Sequence, residues 1–549
     1  MADLLSTVAI LFIVAGPFLL VANRFRLPTV PLLIVAGIFA GVFVDEELTL
    51  ELAQYGIALL VFWFGVKIEL STVRTVLSDS EIATLAQILV VGSLGVGLGL
   101  VLGVPFQESL YLGIAAALSS TIVGVFLLQR EIQRNLVRGR LAESIHFVQD
   151  LIAVILLLVL GAGAFELDPI ATQLGYGVLF FIAAILVNRY VFDLLGRLAG
   201  NSSELMIVGS VSILVLFIGT ARLVDVSIVV GAFAAGLAIR HDREQYLDLF
   251  NGIESIRDFF VAIFFLTIGA LVAVPTLEKL LLVAGLVVLT AVVKPAITTV
   301  VLIFQGYEAR TATLTSLGID QVSEFSLIIA IQALLLGALG QTVFDAIIMA
   351  AAVTMITSSL TQRFDERIYL FLADRNLIRG RHGRVDALSR LPDDITDHVI
   401  IVGYGRQGRK LVDACENLEQ SYVVVENDPE IRPLVREECD AFVFGDAMDR
   451  YTWEKARAGA ARLILSTVPY DPISRLILEL GVEADVILNA SDVETALKLM
   501  DEGAHYVVVA DLLAGEQLVT YTSAILSGEM TPEELRDGRV EALRSRHGG

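Results

Sequence analysis

Apolar stretches of about 20 residues, the length a helix needs to cross a bilayer, recur from Leu4 to about Leu360 and then stop. The chain is 56% hydrophobic with a mean hydropathy of +0.74, too apolar for a soluble protein of ordinary usage. Residues 365–549 have ordinary soluble composition. Thirteen spans are expected, at 4–23, 28–44, 51–66, 83–104, 107–129, 141–163, 172–195, 204–221, 226–239, 258–275, 278–304, 309–337 and 341–362. The opening MADLLSTVAILFIVAGPFLLVANRFR has no basic n-region and no small-residue cleavage site, so it reads as a first span.

Loop charge tests this count. An odd number of spans with the C-terminal part cytoplasmic puts the N-terminus outside. Inner loops then hold Arg24, Arg26, Lys67, Arg74, Arg130, Arg134, Arg138, Arg140, Arg189, Arg197, Arg240, Arg243, Arg257 and Arg310. Outer loops hold only Arg222 and Lys279. Fourteen against two obeys the positive-inside rule, which one missed helix would scramble.

Thirteen divides as six, one, six. A single linker helix (172–195) places the second six in the orientation opposite to the first, the inverted-repeat plan of transporters. The fifth span of each six is interrupted. In 107–129 stand Ser119, Ser120, Thr121 and Gly124; in 309–337 stand Gly318, Asp320, Gln321, Ser323 and Glu324. Matching polar interruptions predict two broken helices crossing at an ion site, with the unwound backbone covered by protein or a water-filled cavity.

Asp150 heads the apolar run SIHFVQDLIAVILLLVL with no basic residue beside it in sequence. A carboxylate at that depth costs about 2.5–3.5 kcal/mol on insertion scales, so it marks a functional site unless a helix interface satisfies it. A carboxylate there holds either a proton or a dehydrated cation, and that exclusion suffices for exchange if the site faces each side in turn. Gln149, Ser119, Ser120 and Thr121 are expected to complete the ion and proton site. Lys294, Asp320, Gln321 and Glu324 are expected to form a supporting polar network. Lys294 either pairs with a carboxylate or snorkels to a membrane face, and its place about ten residues from either end of its span favours pairing. Asp320 and Glu324 fit as partners of helix ends. His146, four residues before Asp150 and on the same helix face, reads as a hydrogen-bonded interface histidine or a proton relay.

The stretches ALSSTIVGVFLLQR, ESIHFVQDLIAV, IVVGAFAAGLAI, FFVAIFFLTIGALV and LGIDQVSEFSLIIA resemble the monovalent cation:proton antiporter-2 family, above all its Kef-type potassium-efflux branch. The resemblance covers nearly all of 1–362. It implies K⁺ or Na⁺ and H⁺ as substrates, Asp150 as the carrier, and a homodimer in the cell membrane. Members carry two acids or Gln-Asp at the site of Gln149-Asp150. A second acid accompanies charge-moving exchange, so Gln149 implies an electroneutral exchanger. Val322-Ser323 before Glu324 departs from the paired glycines common in Kef proteins.

From Asp397 the pattern DHVIIVGYGRQGRKLVDACENLEQSYVVVENDP gives a strand, the loop Gly403-Tyr404-Gly405-Arg406-Gln407-Gly408, a helix, and a second strand ending in Glu426. This is the dinucleotide fingerprint in its proper context. Glycines admit a phosphate to the backbone N–H groups at the helix start, and an acid at the end of the second strand takes ribose hydroxyls. Glu426 disfavours a 2′-phosphate, so NAD(H) or a plain adenine nucleotide such as AMP or ATP is expected. The segment 397–515 resembles the RCK, or TrkA N-terminal, nucleotide-binding domain. That match implies that Asp446 and Thr467 line the pocket; on residues alone Asp446 reads equally as a turn residue. No substrate domain with a catalytic base follows, so no enzyme is expected.

The expected architecture is therefore a multi-pass all-α membrane domain (1–362) of about thirteen helices with inverted repeats and crossed broken helices. A linker (363–396), a soluble α/β Rossmann-like regulatory domain (397–515) and a charged tail (516–549) follow. A nucleotide-gated potassium channel is the competing reading, disfavoured because no TVGYG-like filter is present. Net charge is −22, with 27 acidic and 18 basic residues in 1–364 and 34 and 21 in the rest. Such a surface repels nucleic acid and suits high salt. Cys415 and Cys439 form neither a disulfide framework nor a metal pattern and read as buried thiols.

Overall fold

Helices occupy all thirteen expected spans in the computed structural model, which describes residues 4–67, 81–134, 136–160, 167–199, 202–224, 226–239, 247–375, 377–378, 382–392, 394–537 and 540. Arg74, Arg240 and Arg243, expected on inner loops, lie outside the described residues, as do 541–549 of the expected tail. The chain divides into two units, Met1–Gln305 with Ala309–Ile378 and Gly306–Glu308 with Arg379–Gly549.

Among the described residues of the first unit, eight helices are long and apolar enough to cross a membrane. The irregular ones recur at matching places in the two sixes. Each second member is short, Thr29–Ala40 and Ile228–Leu237. The latter rises only about 15 Å, less than the apolar core of a bilayer. Each fourth member contains a π-helical segment, Gln87–Val91 within Glu81–Val101 and Leu289–Val293 within Leu277–Gln305. Each fifth member is broken, Phe106–Ala117 followed by Thr121–Leu127, and Ala309–Leu317 followed by Glu324–Leu335.

Packing obeys the same exchange. Thr29–Ala40 packs on Leu247–Ala270, and Glu46–Lys67 packs on Ile228–Leu237. A Cβ on Gly37 would lie 2.2 Å from the Leu266 carbonyl oxygen, and one on Gly269 would lie 2.1 Å from that of Ile34. In the other pair, Gly65 and Gly236 would meet the carbonyls of Phe233 and Phe62 at 2.4 and 2.1 Å. Only glycine permits such backbone contact, the way membrane helices associate where apolar burial gives no preference over lipid. On the first helix, Leu4–Phe25, buried residues are few (Thr7, Leu11, Ala15, Ala22), while Leu5, Ile13 and Leu20 are exposed, as a lipid-facing surface requires.

The breaks follow from their residues. Leu118 and Ser120 are extended, and the Ser120 hydroxyl caps the following half-helix by accepting from Val123 N at 3.3 Å. Ser323 does the same for Glu324–Leu335, accepting from Phe325 N at 3.1 Å. Serine competes with helical hydrogen bonding in mid-helix and stabilises an N-cap. The last membrane helix, Gln341–Asp374, runs twelve residues past the expected end at 362, so the segment read as linker begins as helix.

In the second unit six parallel strands, β1 (His398–Val402), β2 (Tyr422–Glu426), β3 (Phe442–Phe444), β4 (Ala461–Ser466), β5 (Asp485–Ala490) and β6 (Tyr506–Val509), form a sheet of order β3-β2-β1-β4-β5-β6. β1, β2 and β3 are buried throughout, which is why they read as continuous β-branched and aromatic runs. Strand order reverses between β1 and β4, and ligands of such sheets bind beyond the carboxyl ends at that point. The helix Ala510–Leu526 crosses the boundary expected at 515.

Candidate functional site

Asp150 is buried on the helix Val137–Leu160, and its carboxylate accepts from the Thr121 hydroxyl at 2.9 Å (Oδ1) and 2.8 Å (Oδ2). Thr121 is the first residue after the first break, so the break aims a hydroxyl at the acid. Among the described residues no lysine or arginine forms an ion pair with Asp150. A cavity of about 630 Å³ reaches this point. It is lined by Asp150, Thr121 and Glu324, by the charged residues Lys67, Glu143, Glu254, Arg257 and Asp258, and by aromatic walls including Trp63, Phe64 and Phe325. Arg257 lies over the Trp63 ring at 4.9 Å and donates to Asp258 Oδ1.

The two breaks are stitched across the crossing. Ser119 Oγ donates to Ile319 O at 2.9 Å, and Gln321 Nε2 donates to Ser120 O at 3.1 Å. Glu324 Oε1 accepts from Ile122 N at 3.2 Å, placing a carboxylate of one repeat on the N-terminal end of the other repeat's half-helix. Lys294 Nζ donates to Leu118 O at 3.1 Å and Gln321 O at 2.9 Å. Its hydrogen-bond partners are thus the carbonyl at the C-terminal end of Phe106–Ala117 and one inside the second break, and no carboxylate among the described residues is hydrogen-bonded to it. The first is an orphan acceptor at a helix end of partial negative charge, which an ammonium offsets as Glu324 offsets the N-terminal end of Thr121–Leu127.

Gln149 turns away from the cavity. Its Oε1 accepts from Ser119 N at 2.7 Å, while Nε2 donates to Gln87 Oε1 and to Ala117 O. Gln87 Nε2 then donates to Thr298 Oγ1 at 2.7 Å, and Thr298 Oγ1 donates to Lys294 O at 2.8 Å. Of the five residues expected at the ion site, Asp150 and Thr121 reach the cavity. Ser119, Ser120 and Gln149 hold the break instead. Gln87 and Thr298 escaped sequence reading; a lone buried amide inside ATLAQILVVG was the available signal. His146 is buried, and neither ring nitrogen has a hydrogen-bond partner among the described residues. It packs on Gly124, where a Cβ would lie 2.3 Å from His146 Cε1.

In the second unit Gly403 has φ +89°, closed to residues bearing a Cβ at ordinary cost. A Cβ on Gly408 would lie 2.0 Å from Gly403 O, so helix Arg406–Asn417 starts hard against the loop. Gly405 is the N-cap and supplies no capping side chain, and a Cβ there would meet nothing within 4 Å. Uncapped N–H groups facing open space are the donor set a phosphate requires. Arg406 and Gln407 open the helix, and Gln407 Oε1 accepts from Asn489 Nδ2 at 3.3 Å. Glu426 is buried at the end of β2, where Oε2 accepts from Tyr404 N (2.7 Å) and Oε1 from Asn427 N (2.8 Å) and Asp428 N (3.0 Å). Burial pushes its carboxyl up from its usual value, against the pull of those three donors. Thr467 Oγ1 donates to Val402 O at 2.8 Å beside the glycine loop, and Asp446 Oδ1 accepts from Met448 N at 2.9 Å as a turn residue would. Glycine loop, helix start and strand-end acid together fit a nucleotide.

Residues 8–364 match the family described as "Sodium/hydrogen exchanger, transmembrane", well over half of the chain. The chain belongs to the sodium/hydrogen exchanger family. Residues 399–510 of this exchanger match the TrkA-N domain. The chain is 27% identical over 474 residues to the "Putative cation/proton antiporter YbaL" of Escherichia coli, covering 82% of this chain and 84% of that protein. It is 25% identical over 561 residues to the "Glutathione-regulated potassium-efflux system protein KefC" of Salmonella schwarzengrund, covering 95% and 84%. The Kef-type resemblance read from the sequence agrees with both. The exchanger is thus a multi-pass membrane cation/proton antiporter carrying a TrkA-N domain, and its relatives are transporters, not enzymes.

Proposed function

We propose that this exchanger moves one K⁺ or Na⁺ against one proton, electroneutrally, by alternating access around Asp150. The observation that carries the reading is a buried carboxylate that lines a cavity and accepts from a hydroxyl, with no cationic side chain among the described residues in an ion pair with it. Either ligand neutralises that charge, and each excludes the other. Thr121 offers its oxygen as a further cation ligand and its proton to the bare carboxylate. Gln149 has no proton to exchange, and its amide is committed to Ser119, Ala117 and Gln87, which supports a single titrating acid at this position. Lys294 holds a carbonyl in each break and Glu324 the N-terminal end of Thr121–Leu127, and so both support the unwound crossing.

Residues 397–515 act as the regulatory domain in this reading, on the cytoplasmic side with the N-terminus outside and the exchanger paired as a homodimer. NAD(H) or an adenine nucleotide such as AMP or ATP binds there. Arg406, Gln407 and Gly408 offer N–H groups to the phosphates, Glu426 offers its remaining lone pair to a ribose hydroxyl, and Asp446 and Thr467 flank the pocket. Binding biases domain arrangement and thereby transport.

Proteoliposomes test the carrier. Asp150→Asn abolishes cation-driven pH changes for both K⁺ and Na⁺ while the protein stays folded; retained exchange ends the assignment. An exchange rate that follows an imposed voltage ends the electroneutral part. Gly405→Ala leaves the fold intact, since its Cβ meets open space, yet obstructs a phosphate; unchanged adenine-nucleotide affinity by calorimetry on the full chain removes the pocket.

A further inference from the structure

The last membrane helix, Gln341–Asp374, runs twelve residues past its expected span, and the chain continues from it into the soluble domain. Two acids stand at the start of that extension. Asp365 Oδ2 accepts from Arg138 Nη1 at 2.9 Å. Glu366 holds Arg310 by two bonds, from Nε to Oε1 at 3.0 Å and from Nη2 to Oε2 at 2.8 Å. A bidentate pair fixes orientation as well as distance. Adjacent helix positions do not share a face, so the extension is gripped from two directions.

Both arginines open helices of the ion site. Arg138 lies in the first turn of Val137–Leu160, twelve residues before Asp150, about 18 Å along one helix. Arg310 lies in the first turn of Ala309–Leu317, the first half of the second broken helix. Arg138 also forms an ion pair with Glu131. Glu131 belongs to the short helix Gln129–Gln133, which directly follows Thr121–Leu127 of the first broken helix. The Asp150 helix and both broken helices are therefore tied by charge to one segment. Arg138, Glu131, Asp365 and Arg310 are only 13–14% exposed, and Glu366 is 40% exposed. Salt screens pairs this sheltered less than it screens open surface pairs. Ala309–Leu317 already packs on the last helix, so the charges add a directed link to helices that associate without it.

We propose that Asp365 and Glu366 are the fork through which the soluble domain controls exchange: a shift or twist of the helix end, set by nucleotide, reaches the Asp150 helix through Arg138 and the second broken helix through Arg310. The proposal rests on the regulatory reading of the soluble domain given above. Turning the extension in either direction strains one prong against the other, so the two pairs transmit rotation as well as pull. Without them the helix end moves and the ion site does not follow.

The experiment measures exchange by the full chain in proteoliposomes with and without NAD⁺, NADH, AMP or ATP. It compares wild type, D365N/E366Q, and the swap R310E/E366R, which re-forms one pair with its charges reversed. Allosteric couplings are worth about 5–150-fold, so wild-type rates with and without the effective nucleotide should differ about fivefold or more. In D365N/E366Q calorimetry shows wild-type nucleotide affinity, exchange without nucleotide is kept, and the ratio of the two rates falls to within about twofold of one. The swap restores the wild-type ratio. A wild-type ratio in D365N/E366Q overturns this proposal alone, and so do rates lowered by one factor with and without nucleotide. A wild type that answers to none of the four nucleotides overturns the regulatory reading together with it. Hydrogen–deuterium exchange on the same proteins in detergent gives a readout that needs no transport. Nucleotide changes protection of 137–150 and 309–317 in wild type, and in D365N/E366Q only within the soluble domain; the same pattern in both overturns the proposal. Should the double variant fail to fold, E366Q carries the same comparison, since its amide keeps the side-chain shape at an exposed position.

Discussion

Replacing Thr121 by Val removes one proton donor from Asp150 and keeps the side-chain shape. The wild-type hydroxyl sits 2.9 and 2.8 Å from the two carboxylate oxygens, so its single proton serves the carboxylate, when ionised, at normal length. Hydrogen bonds to charged groups contribute about 1.5–3 kcal/mol, and about 1.4 kcal/mol is a factor of ten. The cation-bound site still holds an ionised carboxylate and loses both that hydrogen bond and an oxygen ligand, whereas the competing protonated site has no charge for the donor to stabilise, so the balance moves towards the proton. The apparent half-saturation for K⁺ or Na⁺ should rise about 10–100-fold at fixed pH in proteoliposomes carrying a pH-sensitive dye. Thr121→Ser should recover most of it. A half-saturation within about twofold of wild type in the valine variant would refute the view that this hydroxyl tunes the exchanging acid.

Gly124→Ala drives a Cβ to 2.3 Å from His146 Cε1 and 2.6 Å from Nε2, an overpacking worth about 1–3 kcal/mol. Its thermal midpoint should fall, and His146→Ala in the same chain should recover it; equal losses in single and double variants would contradict the contact. Gly408→Ala places a Cβ 2.0 Å from Gly403 O, so adenine-nucleotide binding should be lost with the loop's geometry, as calorimetry on the full chain would register. Burial pushes the Cys439 thiol up to about 11 from an ordinary value of 9.0. Its neutral form is favoured in the folded state, so that stabilisation is complete below about pH 9 and disappears between about 9 and 11. Unfolding midpoints across that window should fall more steeply for wild type than for Cys439→Ala; parallel curves would exclude it.

What the sequence disclosed was local. Ser119-Ser120-Thr121 and Gly318 to Glu324 announced the breaks because hydroxyls and glycine interrupt an apolar helix by their own chemistry. Asp150 announced itself by its cost in lipid. The loop from Gly403 to Gly408 declared its use because strand, glycines, helix and acid are spaced along one short segment. What stayed hidden depends on faces meeting across long separations. Lys294 bonds carbonyls contributed 176 and 27 residues away, which no side-chain pattern advertises. Gln149 and Asp150 are neighbours in sequence yet point to different partners, since adjacent helix positions do not share a face. Gln87 mattered only once Gln149 was seen to reach it.

The paired glycine seams decide where this protein bends. Along them main chain lies directly on main chain, with no side chains to swap rotamers and absorb a slip. Sliding by one residue would bring a methyl or larger group into a gap sized for hydrogen. Thr29–Ala40, Glu46–Lys67, Ile228–Leu237 and Leu247–Ala270 therefore travel as one welded block. On the alternating-access reading proposed above, relative motion falls along its perimeter, where softer contacts begin.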